Sequence, residues 1–227
     1  MFSGFFNYDN AVWRFIGKFW DIMLVSWLWV LCSLPVFTIG ASTTAMYYVT
    51  LKLVRDEDGY TIRSFFKSFK ENFKQATILW LILLVAGGLL ACDFYFFYRV
   101  YTKPGQFRQI MQVVFAVFIL IYLFIVTYVF PLQARFYNSV KQTLINAFFI
   151  SIRHLFHTIG IFAMDIALAA LSLYLPLLIF FGVALLAFVN SYVFNAIFKK
   201  YMPKEEPAEE ELRPLFADEE STEDQGQ

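Results

Sequence analysis

The sequence predicts an all-α membrane protein. It is a polytopic helical bundle of five transmembrane helices, or six if residues 41–54 also cross, with short re-entrant or interfacial and amphipathic helices between them. Three observations carry that prediction. The 227 residues are 59% hydrophobic and 16% charged, with mean hydropathy +0.59. A soluble domain is about 45–50% apolar and about 25% charged. The apolar residues fall in repeated runs close to the ~20 residues that cross ~30 Å of hydrocarbon as a helix. The bases gather between those runs, as the positive-inside bias requires.

Residues 2–20 mix Phe5, Phe6, Trp13 and Phe19 with Asp9, Arg14 and Lys18. That mixture predicts an interfacial helix feeding the first span, about Phe19–Val36, which reads as an uncleaved anchor. Pro35 lacks an amide hydrogen and frees a carbonyl one turn back. Gly40 is expected to make a turn that other residues make at a cost. Residues 41–54 form a helix of about 21 Å, short of a full crossing. After the polar turn at residues 55–59, Ile62, Phe65, Phe66, Phe69 and Phe73 share one helical face, with Arg63, Lys67, Lys70 and Lys74 beside it. This composition fits a helix on an anionic membrane surface, with anionic lipids at those four bases. No nucleic-acid partner is expected, because no base-reading fold accompanies the stripe.

Further spans are expected at Ala76–Tyr98, with Gly87 and Gly88 offering close helix approach, and at Ile110–Phe130, ending at Pro131. Residues 132–156 are amphipathic again. Two last spans, about Ile159–Tyr174 and Leu177–Ile197, meet at Leu175-Pro176. An internal repeat pairs Phe65-Phe66-x-Ser68-x-Lys70-x-x-Phe73-Lys74 with Phe148-Phe149-x-Ser151-x-Arg153-x-x-Phe156-His157. Five crossings place the N-terminus outside, with thirteen bases inside and five outside; six place it inside, with fifteen and three. Both put the C-terminus in the cytoplasm, and the shortness of residues 41–54 tips the reading toward five.

The net charge of zero hides a division into two parts. Residues 1–202, the integral membrane domain, hold sixteen bases and eight acids. Residues 203–227 hold ten acids and two bases and are expected to form a disordered acidic tail. Either that tail is solvated or it folds back on the cationic inner face. The two cysteines, Cys32 and Cys92, lie in apolar runs and make neither a metal spacing nor a disulfide framework.

No catalytic constellation, cofactor motif or metal spacing emerges, so no enzyme activity is expected. Acids inside apolar spans are costly and often functional. Asp165 stands mid-span, and His154 precedes it by three helical turns on the same face. Two readings stay open: a proton or substrate relay through His154 and Asp165, or a structural hydrogen bond from Asp165 to Asn190, Ser172 or the backbone.

The block Ser33-Leu34-Pro35-Val36-Phe37-Thr38-Ile39-Gly40-Ala41, followed by Thr44-Ala45, resembles the YesL family of bacterial membrane proteins. So do Phe66-x-x-Phe69-Lys70-x-Asn72-Phe73-Lys74-Gln75-Ala76, Pro131-Leu132-x-Ala134-Arg135-Phe136 and Asn146-Ala147. The resemblance covers about residues 1–200, with Pro35, Thr38 and Gly40 as its structural motif. It implies a multi-pass protein of the plasma membrane, associated with carbohydrate utilisation and sugar-transporter subunits. It supplies no catalytic residues. The expected role is therefore a non-catalytic accessory to carbohydrate uptake, with a small-solute transporter centred on Asp165 as the alternative.

Overall fold

The computed structural model describes residues 11–57, 59–101, 105–175 and 177–202. The first residues of the expected interfacial helix, Pro104, Pro176 and the acidic tail lie outside the described residues. Among the described residues, seven α-helices run in the order α1 (Ala11–Ser33), α2 (Ile39–Val54), α3 (Thr61–Tyr95), α4 (Gln106–Arg135), α5 (Val140–Arg153), α6 (Leu155–Tyr174) and α7 (Leu177–Phe198). No strand occurs among the described residues. Among the described residues, five segments are long and apolar enough to cross a membrane: Ile16–Ser33, Thr61–Val100, Gln106–Arg135, Leu155–Tyr174 and Phe181–Phe198. Their outer faces carry exposed Trp20, Leu31, Val85, Leu89, Val113 and Ile166. Apolar surface of that extent is stable only against another apolar phase.

The chain divides into two units, residues 1–195 and 196–227. Of the second, only residues 196–202 are described, and they close the last helical turn through Lys200 N–H to Ile197 O at 3.1 Å and Tyr201 N–H to Phe198 O at 2.9 Å.

In the first unit, small residues let the helices meet. Ile22 and Val25 of α1, Ala45, Met46 and Val49 of α2, Phe65 of α3 and Ala184 and Ala187 of α7 form one buried cluster. Ser26 is woven into α7: its hydroxyl donates to Phe181 O at 3.1 Å and accepts from Ala184 N–H at 3.3 Å. Close backbone approach through small residues replaces the hydrophobic driving force that lipid does not provide.

Polar contacts set the chain direction. Lys18 Nζ is 2.6 Å from Asp56 Oδ1, and Thr61 Oγ1 donates to Asp21 Oδ1 at 2.6 Å. The start of α1, the end of α2 and the start of α3 therefore share one end of the bundle. Trp80 Nε1 donates to Val36 O at 2.8 Å and Trp29 Nε1 to Thr43 Oγ1 at 3.1 Å, which holds the α1–α2 turn against the middle of α3. α2 has sixteen residues, about 24 Å, and it carries the chain back to the end where α1 begins.

Three element boundaries differ from the sequence expectation. The amphipathic segment and the following span are one helix, α3, of 35 residues, because neither Gly nor Pro interrupts residues 61–86. It closes in a π turn, Phe96–Val100, whose exposed carbonyls are answered from α4. Arg108 donates to Phe97 O at 3.2 Å and Tyr98 O at 2.8 Å, and Gln112 donates to Phe97 O at 3.2 Å. Pro131 lies inside α4 and does not end it. The missing amide costs one ladder bond, and residues 128–134 are all buried against neighbours. The two copies of the Phe-Phe-x-Ser block sit on α3 and α5, with Ser68 and Ser151 both buried. The first copy continues straight into its span, whereas the second breaks at His154 (φ −111°, ψ 40°).

Candidate functional site

The Pro35–Gly40 block works by capping and close packing. Pro35 opens a 3₁₀ turn over Val36–Thr38. The Thr38 hydroxyl lies 2.6 Å from both Cys32 O and Pro35 O, so it stands between the last turn of α1 and the start of the 3₁₀ turn. Gly40 corrects its expected role. It is helical, not a left-handed turn residue, since it lies in the first turn of α2. A Cβ at Gly40 would strike Ala76 O and come within 2.6 Å of Trp80 Cβ. Glycine is there because α2 lies directly on the α3 backbone. Of the expected glycine pair on α3, Gly87 does lie under the Tyr122 ring, and the Tyr122 hydroxyl donates to Leu83 O at 2.9 Å; Gly88 has nothing within 4 Å of its Cβ position.

Asp165 stands halfway along α6. Its partner is Asn190 of α7, whose Nδ2 donates to Asp165 Oδ1 at 2.8 Å. Of the partners considered from sequence, the α7 amide is thus the one that reaches. From α2, the Tyr47 hydroxyl is close enough for both the Asp165 charge and the Asn190 side chain to act on it. Asn190 is 3% exposed, and its Oδ1 has no hydrogen-bond donor among the described residues. Beside this cluster, Thr50 of α2 and Ser191 of α7 are 2.8 Å apart. Ser191 also lies 2.6 Å from Ala187 O. Thr50 Oγ1 lies 3.3 Å from Tyr47 O, so each hydroxyl has a carbonyl of its own helix and the other hydroxyl within reach, and either can donate across the α2–α7 contact.

His154 is where α5 ends and α6 begins. Its carbonyl accepts Thr158 N–H at 3.0 Å, which starts the helix that carries Asp165, and its ring stands edge-on to His157 at 5.7 Å. The basic stripe is where the spacing placed it: Arg63, Lys67, Lys70 and Lys74 are all exposed on α3. The apolar face beside it is divided. Phe65 is fully buried against α1 and α2, while Ile62, Phe66 and Phe73 remain exposed.

Sequence reasoning missed the hub at the end of α4. Gln133 is 3% exposed, and its Nε2 donates to Asn72 Oδ1 at 3.1 Å and Gln75 Oε1 at 2.8 Å. Its Oε1 accepts from Thr143 Oγ1 at 3.1 Å. One amide therefore ties α3, α4 and α5 together. A second pin joins Tyr128 of α4 to Thr158 of α6 at 2.9 Å, and Thr158 Oγ1 lies 3.0 Å from Ser151 O. A lone Gln two residues after a proline has no periodicity to reveal it. Chemically these sites are oxygen- and amide-rich. No group of three His, Cys, Asp or Glu side chains able to hold a metal occurs among the described residues.

A family model described as "Protein of unknown function, DUF624" matches residues 22–94. Those residues make up most of the α1–α2–α3 unit, including the Pro35–Gly40 block and the basic stripe. The chain is 25% identical over 198 residues to the uncharacterized protein YteU of Bacillus subtilis strain 168, covering 86% of this chain and 81% of the relative. It is 29% identical over 167 residues to the uncharacterized protein YesL of the same organism, covering 71% and 77%. The likeness to the YesL family holds. No solved structure matches the chain. The YesL-like block therefore coincides with the turn that seats α2 on α3, and Asp165 and Asn190 lie outside the residues the family model matches.

Proposed function

We propose that this protein is a non-catalytic accessory component of the bacterial plasma membrane, linked to carbohydrate uptake and docking sugar-transporter subunits. The observation that carries the accessory reading is how the interior polar groups are used. Gln133 is satisfied by Asn72, Gln75 and Thr143, Tyr128 is bonded to Thr158, and Thr50 to Ser191. Polar side chains paired across helices act as glue and fix a bundle; they are not left for a passing solute. The carbohydrate link rests on the YesL-like motif alone. Copurification in mild detergent from cells grown on a polysaccharide tests it. A transporter subunit should come down with the protein, and repeated isolation without one refutes the reading.

In the proposed topology both termini are cytoplasmic and α2 makes a sixth traverse. Support comes from the Lys18–Asp56 and Thr61–Asp21 contacts, which bring the start of α1 and the end of α2 together. The fifteen-to-three distribution of bases agrees with it. The exposed stripe Arg63, Lys67, Lys70 and Lys74 then faces anionic lipid headgroups of the inner leaflet.

One observation favours a second reading, a small-solute transporter: the buried Asn190 Oδ1, without a donor among the described residues, next to Asp165. Uptake of a solute that survives unchanged in Asp165→Asn eliminates it.

A further inference from the structure

α6 crosses the bundle with a single acid in it. Asp165 lies ten residues past Leu155, about 15 Å along a helix and so near the middle of ~30 Å of hydrocarbon. Its neighbours in sequence, Met164 and Ile166, are exposed on the outer face. No Lys or Arg occurs on α6 or α7, and no base pairs with Asp165 among the described residues. From α4 the same stretch meets Phe124, whose ring lies 5.6 Å from that of Phe162. α5 touches α6 at its start, through Ser151 and Thr158. The histidines of α6 are there too, His157 standing eight residues before Asp165. From α2 the titratable side chain that faces the acid is Tyr47.

The hydrogen bonds around Asp165 are one donor short. Asn190 Nδ2 donates to Asp165 Oδ1 at 2.8 Å. Asn190 Oδ1, on a residue only 3% exposed, receives nothing among the described residues. Tyr47 does not supply it, although its ring packs 5.7 Å from that of Phe194, one turn beyond Asn190. Ser172 bonds to Ala169 O, and Thr50 and Ser191 bond to each other. An ionised carboxylate can only accept. It would leave Asn190 Oδ1 empty and hold an unpaired charge at hydrocarbon depth. Turning the amide over would set Oδ1 against that charge. A neutral carboxyl has one O–H to give, and it stands across from an amide that needs one.

We propose that Asp165 and Asn190 form a proton-binding site, in which the Asp165 carboxyl is a neutral acid that shares its proton with Asn190 Oδ1. Carboxyl and carboxamide then close a ring, N–H to carbonyl on one side and O–H to carbonyl on the other. The proton bonds α6 to α7 a second time. Its release to water breaks that bond, leaves a charge between the helices and favours their separation. The proton site stands independently of transport; as the coupling site for a small solute it rests on the transporter reading above.

The test is infrared spectroscopy of the full-length protein at neutral pH in an alkyl maltoside, a detergent without carbonyl groups. A protonated carboxyl gives a C=O stretch apart from the amide bands, and deuterium exchange shifts it downward. Wild type should show such a band, which Asp165→Asn abolishes and Asp93→Asn leaves in place. Asn190→Ser should displace or abolish it, because the carboxyl loses its amide partner. Asp165→Asn is a mild change, since a second carboxamide can donate to Asn190 Oδ1 and accept from its Nδ2. If it nonetheless fails to fold, the response to Asn190→Ser decides the matter. Exchanging sodium for choline should change nothing. The proposal is overturned if no band is lost in Asp165→Asn, or if Asn190→Ser leaves the band unchanged. A band that appears only when sodium is withdrawn also overturns it and assigns the site to a metal cation. Solute uptake that survives in Asp165→Asn removes the transporter reading without touching the band; a missing band removes the proton whatever the uptake.

Discussion

Replacing Gly40 with alanine adds a single carbon, and the structure says where it goes. The new Cβ strikes Ala76 O and lies 2.6 Å from Trp80 Cβ. Ala76 O belongs to the backbone of α3, so no side chain can swing aside to make room. α2 must lift from α3, straining the Trp80–Val36 bond at 2.8 Å and the buried contacts of Thr44 and Ala45. Overpacking of this kind costs about 1–3 kcal/mol, with backbone contacts at the upper end. Alanine recovers up to about 1 kcal/mol of helix propensity, and less this close to the start of α2. The net expectation is about 2 kcal/mol of destabilisation. For a chain of this size that is a fall of about 4–8 °C in thermal midpoint. The assay is tryptophan fluorescence during thermal unfolding in mild detergent, since Trp80 reports the contact directly. Gly88→Ala is the control: nothing lies within 4 Å of its Cβ position, so it should be neutral or slightly stabilising. If Gly40→Ala unfolds with the midpoint of wild type, or the two variants behave alike, the close-packing account of the motif is wrong.

Other outcomes follow from the same contacts. Gln133→Leu strands Asn72, Gln75 and Thr143 and should cost about 1–2 kcal/mol by thermal unfolding; a Gln133/Asn72 double-mutant cycle should show coupling of about 0.6 kcal/mol or more. Glu57 titrates with a definite sign. Burial by itself would raise its carboxyl, but the hydrogen bond and charge of Arg55, with Arg135 and Lys52, hold it below the ordinary carboxylate range. Its contribution to stability is therefore present above the unfolded value and lost as pH falls through the folded one. The difference in thermal midpoint between wild type and Glu57→Gln should be constant near neutrality and vanish in acid. A reporter fused after Thr38 should read outside and one fused after Gly59 inside; both reading inside removes the sixth traverse.

Most of the architecture was legible because its signals are local. Runs such as residues 110–130 exceed what a soluble core accommodates, and the 3.6-residue rhythm of Phe65, Phe69 and Phe73 is written along the chain itself. What escaped the sequence depends on partners far away in it. Lys18 meets Asp56, Asp21 meets Thr61, and Gln133 meets Asn72 across 61 positions. None of these residues stands out from its neighbours in type or spacing. Gly40 was legible as a special position but not for the right reason, because a glycine that makes room looks the same in sequence as one that turns. The break between α5 and α6 at His154 was not legible either, because no Gly or Pro marks it.

The division of polar residues within the bundle carries the functional argument furthest. Side chains that serve only to join helices should satisfy one another, as Gln133 and its three partners do, because an unmatched polar atom in a low-dielectric interior is costly. Four buried atoms among the described residues depart from that rule: Ser33 Oγ, Arg55 Nη1, Thr77 Oγ1 and Asn190 Oδ1. Of these, Asn190 Oδ1 stands beside the intramembrane Asp165 and is an acceptor waiting for a donor or cation. It belongs to α7, which packs against α1, α2 and α6, so occupying it would act on how those helices meet. The pair is therefore the place to separate an accessory subunit from a transporter. Asp165→Asn should leave partner retention intact in the first case and abolish solute uptake in the second.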